Sequence, residues 1–355
     1  MGSIKLITSG KNWIEHTAVT QLNALAELDG VIQAVGLPDL HAGKSPIGVA
    51  VETKKVIYPH IIGNDIGCGM GLFKTGIQKK KFKIDYWVTK LNYIRELADL
   101  ETINPYKEQS PIYDLGTIGS GNHFAEFQVV EEVVDEHGFE KLKMDKNDLL
   151  LLIHSGSRGY GQSILSEFSN PAGYKLSSTQ AIEYLEKHND ALLWAERNRR
   201  IVANKLITYL GYSSDMELVI DCKHNFLEQK DDCFIHRKGA VSGEVGAVVI
   251  PGSRGSLTYI VVPTDKVNES AYSLSHGAGR KWARSLCKSR IQEKYDRNTI
   301  RETKLKSRIV CHDTDLLFQE APEAYKNIDR VIDSLLAFGL IKVVATLRPV
   351  LTYKG

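Results

Sequence analysis

Residues 63–70 contain a carboxylate and a thiol three positions apart among three glycines. Asp65 and Cys68 can point to the same side of a tight turn, and the glycines let the backbone approach whatever lies between the two side chains. Carboxylates and thiolates are both metal ligands. The alternative is a glycine-rich turn that contains a buried, inert cysteine. Further ligands elsewhere in the sequence favour the metal site.

Three later turns each place a histidine beside or near a glycine or an asparagine: His123, His154 and His224. The last two follow apolar runs of strand length, so we predict them at strand ends. A single histidine is more often a surface residue or a satisfied core residue. Together with the carboxylate and the thiol, however, the three histidines give five candidate ligands. That number is too large for one closed tetrahedral zinc site and suits two open metal sites that share the thiolate.

Another histidine, His276, is followed by glycines at 277 and 279 and by a basic segment that begins at Arg280. Backbone N–H groups and Arg280 can surround a phosphate there while the imidazole faces it, which is the setting of a nucleophile. A glycine-containing turn before an amphipathic helix is equally compatible with these residues.

Taken together, these segments resemble the RtcB family of GTP- and manganese-dependent RNA ligases. The resemblance runs from Pro38 to Gly355 and so covers essentially the whole chain. Several long motifs in the right order are far more specific than one short pattern. The motifs occupy residues 63–70, 116–124, 154–159, 251–253, 276–280 and 320–326.

The resemblance implies an enzyme that joins an RNA 3′-phosphate, or a 2′,3′-cyclic phosphate after hydrolysis, to a 5′-hydroxyl in RNA repair or tRNA splicing. It implies that His276 attacks the α-phosphorus of GTP, that the GMP passes to the RNA 3′-phosphate, and that the 5′-hydroxyl then displaces GMP. The first step needs a neutral imidazole, which an unperturbed histidine pKa near roughly 6.5 permits at cytoplasmic pH.

The resemblance also implies the ligands of the site. The two Mn²⁺ ions would be bound by Asp65, Cys68, His123, His154 and His224, with Cys68 as the bridging ligand. Ligand chemistry alone is as compatible with zinc as with manganese. The implied nucleotide pocket consists of Asn122, Glu126, Ser253, Thr258, Ala278, Gly279 and Lys354.

Two positions near the nucleotide depart from the family pattern. Arg254 stands where the family usually has methionine, and Thr258 stands where a serine contacts the nucleotide. Threonine keeps the hydroxyl group. Arg254 adds a charge near the GMP and therefore bears on nucleotide or RNA preference.

RNA contacts are expected from local clusters of basic residues, because the net charge of the chain is only +2. Arg280 and Lys288 belong to a predicted basic helix after the nucleophile, where phosphate contacts supply affinity without sequence preference. Arg158 and Arg254 each follow a predicted strand in a Gly-Ser-Arg-Gly sequence and can form bidentate phosphate contacts. The expected partner is RNA with broken ends, from tRNA or ribosomal RNA.

Hydrophobic periodicity predicts the elements that position these residues. Strands are predicted at 31–35, 56–62, 70–75, 127–134, 149–153, 216–220, 247–250 and 341–347. Helices are predicted at 20–28, 90–100, 178–210 and 323–337. In the third helix, Ser178 is the predicted cap, residues 182, 185, 192, 193 and 206 are predicted to face inward, and arginines 197, 199 and 200 are predicted to be exposed. Residues 101–114 lack periodicity and are predicted to form a loop.

Composition indicates ordinary globular material, with 355 residues of which 43% are hydrophobic and 25% charged. No linker divides the chain, so we expect one α+β domain over residues 1–355, a large mixed α/β domain with the dinuclear metal site at its centre. Apolar runs are much shorter than the roughly 18 residues of a membrane span, and the first residues show no signal-peptide pattern. Five irregularly spaced cysteines indicate reduced thiols. We therefore expect a cytoplasmic protein without a membrane partner.

Two other functional classes fit parts of the sequence. A dinuclear phosphodiesterase or phosphatase would use the same five ligands without His276. A non-catalytic RNA-binding protein would need only the basic surface. The segment 276–280 favours the ligase, because neither alternative requires it. The sequence leaves open which RNA is joined, whether the role is repair or splicing, the oligomeric state and the need for an activating protein partner.

Overall fold

The computed structural model describes residues 1–100, 115–213 and 216–355. Within them, helices and strands are interspersed along the chain, and most paired strands are antiparallel. This agrees with the predicted α+β class and its mixed α/β content. The loop predicted at 101–114 lies outside the described residues.

The helices are α1 (His16–Ala26), α2 (Pro59–Ile62), α3 (Ile84–Asn92), α4 (Glu136–Lys141), α5 (Arg158–Glu167), α6 (Thr179–Leu210), α7 (Arg284–Gln292), α8 (Thr314–Gln319) and α9 (Ile328–Ala337). The strands are β1 (Ser3–Leu6), β2 (Val31–His41), β3 (Ile47–Lys54), β4 (Val56–Ile57), β5 (Gly69–Gln78), β6 (Phe124–Val133), β7 (Asp148–Ser155), β8 (Tyr174–Lys175), β9 (Glu217–Lys223), β10 (Asn225–Lys230), β11 (Cys233–Lys238), β12 (Ala240–Ser242), β13 (Val248–Pro251), β14 (Thr258–Pro263), β15 (Ser273–Ser275), β16 (Arg308–Cys311) and β17 (Ile341–Lys354).

Two large sheets carry the residues of interest. The first has eight strands in the order β13-β14-β17-β6-β7-β5-β9, with β16 paired to β17. The second has five strands in the order β1-β2-β3-β11-β10. The two sheets meet where β9 leads into β10, because the backbone N–H of His224 donates to the Cys68 carbonyl at 2.8 Å. The ends of β5 and β9 are thereby held next to the start of β10.

Helix α6 begins and ends as predicted. The Ser178 hydroxyl accepts a hydrogen bond from the N–H of Ala181 at 3.2 Å, and Gly211 closes the helix in the left-handed region with φ of 92°. Two of the predicted inward residues are wrong, since Ile182 and Leu193 are 52% and 53% exposed. The buried stripe instead includes small and polar residues such as alanines 181, 191 and 195, His188 and Asn198. Hydrophobicity alone assigns such residues to the surface.

Three predicted elements differ from the observed ones in their bounds. The strand predicted at 56–62 ends at Ile57, since Pro59 begins a short helix and cannot donate to a sheet. The helix predicted at 90–100 is α3, which buries Trp87 and Leu91 and stops earlier. The helix predicted at 323–337 is split, because Asn327 caps α9 by accepting from the N–H of residue 329 at 2.8 Å.

The last strand is longer than predicted. It runs from Ile341 to Lys354 and crosses a register shift beside Pro349, so the alternation that defines a strand is interrupted in the sequence. All five cysteines lie in the described residues and form no disulfide. No helix in the described part of the chain is both long enough and apolar enough to cross a membrane.

Candidate active site

The candidate metal ligands lie at one edge of the eight-stranded sheet. Cys68 directly precedes β5, His123 directly precedes β6, His154 is near the end of β7, and His224 directly follows β9. Strands β6, β7, β5 and β9 are consecutive neighbours and antiparallel, so these ends meet. In the register, His154 lies opposite Phe124, the residue after His123. The sheet therefore brings together side chains that are up to 156 positions apart in the sequence.

The ligand atoms converge on two groups that share the thiol. Cys68 Sγ lies 3.2 Å from His154 Nε2 and 3.3 Å from His123 Nε2. His154 Nε2 lies 3.3 Å from His224 Nε2, and His123 Nε2 lies 2.9 Å from Asp65 Oδ2. Asp65, Cys68 and His123 form one triad, and Cys68, His154 and His224 form the other, each with its ligand atoms within 4.8 Å of one another. This donor set is suited to binding metal.

Hydrogen bonds set the orientation of two of the imidazoles. His154 Nδ1 lies 3.1 Å from the Asn122 carbonyl, which can only accept, so the Nε2 lone pair is left free for a metal. His123 Nδ1 lies 3.2 Å from Arg158 Nη1, which can only donate. His123 therefore carries its proton on Nε2 in this arrangement, and metal binding through that atom requires Arg158 to turn away. Arg158 fits beside Gly119 because a Cβ there would lie 1.9 Å from the guanidinium.

The local charges set the protonation states of the ligands. Burial raises the pKa of Asp65, but His123 and Arg158 outweigh it and bring the pKa to about 2, so the carboxylate is ionised. Burial, reinforced by Asp65, raises the pKa of the Cys68 thiol well above its usual range. The thiol is therefore protonated until a metal cation displaces its proton.

Burial also sets the protonation state of His154 and His224. Burial and the neighbouring histidines lower the pKa of His154 and of His224 well below the usual value. Neutral imidazole is the form that binds metal.

Arg199, on helix α6, forms hydrogen bonds to several elements of the site. Its Nε and Nη2 donate to the two carboxylate oxygens of Asp221, both at 2.7 Å. Its Nη1 donates to the carbonyls of Gly67 at 2.8 Å and Ser155 at 2.9 Å, so it links the turn before Cys68 to the end of β7. The prediction that arginine 199 is exposed is wrong, since 1% of its surface is accessible. No sequence pattern marked this buried role.

His276 lies beside the metal cluster and is held by a carboxylate. Its ring centroid is 4.8 Å from that of His224. Asp39 Oδ2 lies 2.6 Å from His276 Nδ1 and accepts from the His276 backbone N–H at 3.3 Å. Asp39 is fully buried, and its carboxylate orients His276. Gly279, with φ of 70°, leaves room for this contact because a Cβ there would lie 2.2 Å from the Asp39 carbonyl.

Comparison with known proteins identifies the family of this chain. A family model described as tRNA-splicing ligase RtcB matches residues 21–95 and 87–355. The chain belongs to the RtcB family. An RNA-splicing ligase RtcB2 from Escherichia coli is 40% identical over 363 aligned positions, which cover 98% of this chain and 95% of that protein. The tRNA-splicing ligase RtcB of Archaeoglobus fulgidus is 29% identical and covers 96% of this chain and 92% of its own.

The positions that the RtcB resemblance assigns to the nucleotide lie close to the metal cluster. Glu126 is buried, and its two oxygens accept from Gln128 Nε2 at 2.7 Å and from Thr352 Oγ1 at 2.6 Å. The same Gln128 nitrogen donates to Thr258 at 2.9 Å, so the threonine hydroxyl supports the glutamate. Lys354 donates to the carbonyl of His123 at 3.0 Å and thereby joins this network to the ligands.

Two of the remaining nucleotide positions, Ser253 and Ala278, lie at the turn after β13. The Ala278 N–H donates to the Pro251 carbonyl at 3.1 Å, which brings the segment after His276 against this turn. The Gly279 carbonyl accepts from the backbone N–H of residue 326 at 3.0 Å. Ser253 and Arg254 line a cleft of about 820 Å³. Asn122 touches the cluster through its carbonyl, as described above.

The residues predicted to bind RNA occupy different environments. Arg280 precedes helix α7 rather than lying in it, because the basic helix begins only at Arg284. Arg280 is held inward by Glu320 Oε1 at 3.0 Å and by the Gln319 carbonyl at 2.8 Å. Lys288 lies on the exposed face of α7 and pairs with an aspartate at 2.6 Å. Of these side chains, Lys288 is accessible to a polymer, whereas Arg280 is committed to the fold.

Lys238 is a residue near the site that the sequence did not reveal. It ends β11, and a Cβ on Gly63 would lie 2.4 Å from its Nζ, so its ammonium group packs against the turn that leads to Asp65. Burial lowers its pKa to about 8. A lysine at the end of an ordinary strand gives no local signal of such a position.

Proposed function

We propose that the chain is an RNA ligase that joins RNA 3′-phosphate or 2′,3′-cyclic phosphate ends to 5′-hydroxyl ends with GTP as the energy source. Membership of the RtcB family supports RNA ligation in tRNA splicing or RNA repair. The proposed substrates are broken tRNA or ribosomal RNA. We also propose that residues 1–355 form a single catalytic domain and that the protein is cytoplasmic.

The contact between Asp39 and His276 carries the proposal. The Asp39 carboxylate accepts a hydrogen bond from the protonated Nδ1 of His276, which leaves the Nε2 lone pair as the nucleophile. Nε2 attacks the α-phosphorus of GTP, a P–N bond forms, and the bond to pyrophosphate breaks. Neither a phosphodiesterase nor an RNA-binding protein needs a histidine oriented in this way beside a cluster of metal ligands.

His276 then acts as a carrier. An oxygen of the RNA 3′-phosphate attacks the same phosphorus, the P–N bond breaks, and His276 regains its free Nε2. The 5′-hydroxyl attacks the activated 3′-phosphate, a phosphodiester forms, and GMP leaves. A 2′,3′-cyclic phosphate must first be opened by water to supply the 3′-phosphate.

The donor set fits a pair of divalent ions, since the ionised Asp65 carboxylate, three imidazoles and one thiol converge on two groups. The triad of Asp65, Cys68 and His123 would hold one Mn²⁺, and Cys68, His154 and His224 would hold the second. When bound, such ions neutralise charge on the reacting phosphates. Arg199 fixes the strand ends that carry these ligands, and Cys68 couples the two positions.

Guanine selection is assigned to Glu126. Its carboxylate can accept from the N1–H and the amino group of guanine, a donor pair that adenine lacks. The exposed face of α7, which carries Arg284 and Lys288, is the proposed surface for the RNA backbone. Ligation by the purified chain will also decide whether an activating protein is needed.

A labelling experiment tests the mechanism. The purified chain is incubated with α-labelled GTP and Mn²⁺ in the absence of RNA, denatured, and analysed by peptide mass. We expect GMP on His276 through a phosphoramidate bond that survives alkali and breaks in acid, no label on His276→Ala, and weak labelling from ATP. Label that persists in His276→Ala would place the nucleophile elsewhere. An absence of label with every divalent metal, together with phosphate-ester hydrolysis, would assign the chain to the phosphodiesterases.

A further inference from the structure

Arg254 is a buried cation whose donors are only partly satisfied. It lies in the turn between β13 and β14, and 7% of its surface is exposed. Its Nη2 donates to the carbonyls of Leu317 at 3.1 Å and Ile300 at 3.4 Å. Its Nε and Nη1 are buried and have no hydrogen-bond partner among the described residues. Since Nε carries one hydrogen and Nη1 carries two, three N–H groups are unpaired.

No carboxylate in the described part of the chain forms an ion pair with Arg254. Glu320 is close enough to raise the pKa of Arg254, but its oxygens already accept from Arg280, Arg284 and the hydroxyl of Tyr325. Burial nevertheless lowers the pKa of Arg254 only to about 10, so the side chain is charged at neutral pH. A buried charge without a partner is costly unless a ligand completes it.

The position of Arg254 indicates which part of a nucleotide it faces. Together with Ser253 it lines the cleft of about 820 Å³, whose lining includes neither Glu126 nor Lys354, so the cleft extends away from the metal cluster. Arg254 lies four residues before Thr258, and Gln128 donates to both Thr258 and Glu126, so Arg254 is on the side of the site that holds the residues assigned to the base.

Two other arginines lie beside the metal cluster. Arg158 Nη1 lies 3.2 Å from His123 Nδ1 and Arg199 Nη1 donates to the Gly67 carbonyl at 2.8 Å, whereas the hydrogen bonds of Arg254 go to carbonyls outside the cluster. Arg254 therefore faces the base end of the site rather than the end where the phosphates react.

Guanine offers a matching set of acceptors. Its O6 and N7 lie side by side on the edge next to the N1–H and amino group that Glu126 would bind, and a guanidinium is the common partner of that O6/N7 pair. Adenine presents an amino group in place of O6, which faces a donor-only side chain with another donor. We propose that Arg254 is a specificity-determining residue that donates hydrogen bonds to the O6 and N7 of guanine. This inference rests on the proposed use of GTP.

Binding of nucleoside monophosphates tests the inference without any covalent step, because GMP has no pyrophosphate to lose. Dissociation constants for GMP, 7-deaza-GMP and AMP would be measured by calorimetry on the wild type, on Arg254→Met and on the surface control Arg348→Met. A hydrogen bond from a charged donor predicts that the wild type binds GMP at least about ten-fold more tightly than 7-deaza-GMP. Arg254→Met should bind both equally and weakly, whereas Arg348→Met should keep the wild-type preference.

Several results would overturn the inference. Equal affinity of the wild type for GMP and 7-deaza-GMP does so without any variant, even if Arg254→Met fails to fold. An equal loss of GMP, 7-deaza-GMP and AMP binding in Arg254→Met would assign the residue to a phosphate or to a purely structural role. If a GMP adduct forms on His276 but the wild type binds GMP and 7-deaza-GMP equally, this inference is wrong and the proposed function stands. If the wild type neither binds guanine nucleotides nor forms the adduct, the proposed function is wrong as well.

Discussion

Replacing Asp39 by asparagine tests how the fold activates His276. Asp39 Oδ2 lies 2.6 Å from His276 Nδ1 and also accepts from the backbone N–H at 3.3 Å. Asparagine has the same shape and one oxygen that can receive both hydrogen bonds, but it carries no charge. Attack through Nε2 makes the ring positive, because Nδ1 keeps its proton. The substitution therefore removes a charge interaction that grows during the reaction.

The size of the effect follows from the distance. Two unit charges about 4 Å apart attract by about 4 kcal/mol at an effective dielectric constant near 20. Since the neutral amide keeps part of the interaction, we expect a barrier higher by about 2–4 kcal/mol, which slows adduct formation by about 30- to 900-fold.

The assay is the single-turnover rate of GMP transfer to His276 from α-labelled GTP, with metal content and the thermal unfolding midpoint measured in parallel. Asp39→Asn should keep its metal, because Asp39 contacts His276 and not the ligand cluster. The matched control is Asp333→Asn, which changes a surface aspartate that pairs with Arg330 at 3.8 Å. An adduct rate equal to that of the wild type, or a loss of metal that accounts for the slower rate, would refute the reasoning.

Four further predictions concern the ligands, the supports and the surface. Cys68→Ala should lose metal and ligation while it keeps its fold, because the thiol belongs to both triads; full metal content with normal ligation would exclude the ligand role. Arg199→Ala should cost about 3–5 kcal/mol of unfolding free energy by breaking a buried pair, whereas Arg200→Ala should cost less than about 1 kcal/mol, and equal costs in denaturant titrations would contradict this. Lys288→Ala should lower the salt slope of RNA binding by about one unit with little change in adduct formation, while Arg280→Ala should reduce adduct formation; similar profiles would argue against this placement of the RNA. Burial raises the pKa of Glu320, but the charges of Lys354, Arg280 and Arg284 outweigh burial, so its pKa is lowered overall. The charge of Glu320 therefore stabilises the fold above an unfolded pKa of about 4.3, and this stabilisation is lost as the pH falls. The stability difference between the wild type and Glu320→Gln should shrink in acid, and a constant difference would show that the charge is not involved.

The residue types in short segments were enough to predict the candidate ligands. Asp65 and Cys68 share one turn, so their proximity depends on local geometry alone. The ends of the strands that carry His154 and His224 were also visible, because apolar runs mark strands and stop where the strands stop. The structure brings these side chains together with His123 in two groups around one thiol.

Local patterns failed where small capping residues decide the backbone. Pro59 begins a short helix where a strand was predicted, and Asn327 caps a new helix inside a predicted longer one, although the hydrophobic spacing continues on both sides. The inward face of α6 was misjudged for a different reason. That face packs alanine, asparagine and histidine against the sheet, and the sequence gives such residues no apolar signal.

The sequence by itself determined which residues have the chemistry for metal binding and nucleophilic attack, because those properties belong to side-chain types and short spacings. Only the tertiary structure decided how they are supported. Asp39 reaches His276 across 237 positions, and Arg199 reaches Asp221 and two strand ends from a helix. The same holds for Arg254, whose burial without a partner depends on carbonyls from distant segments. Such contacts arise from the packing of sheets and helices, which no periodicity within one element encodes.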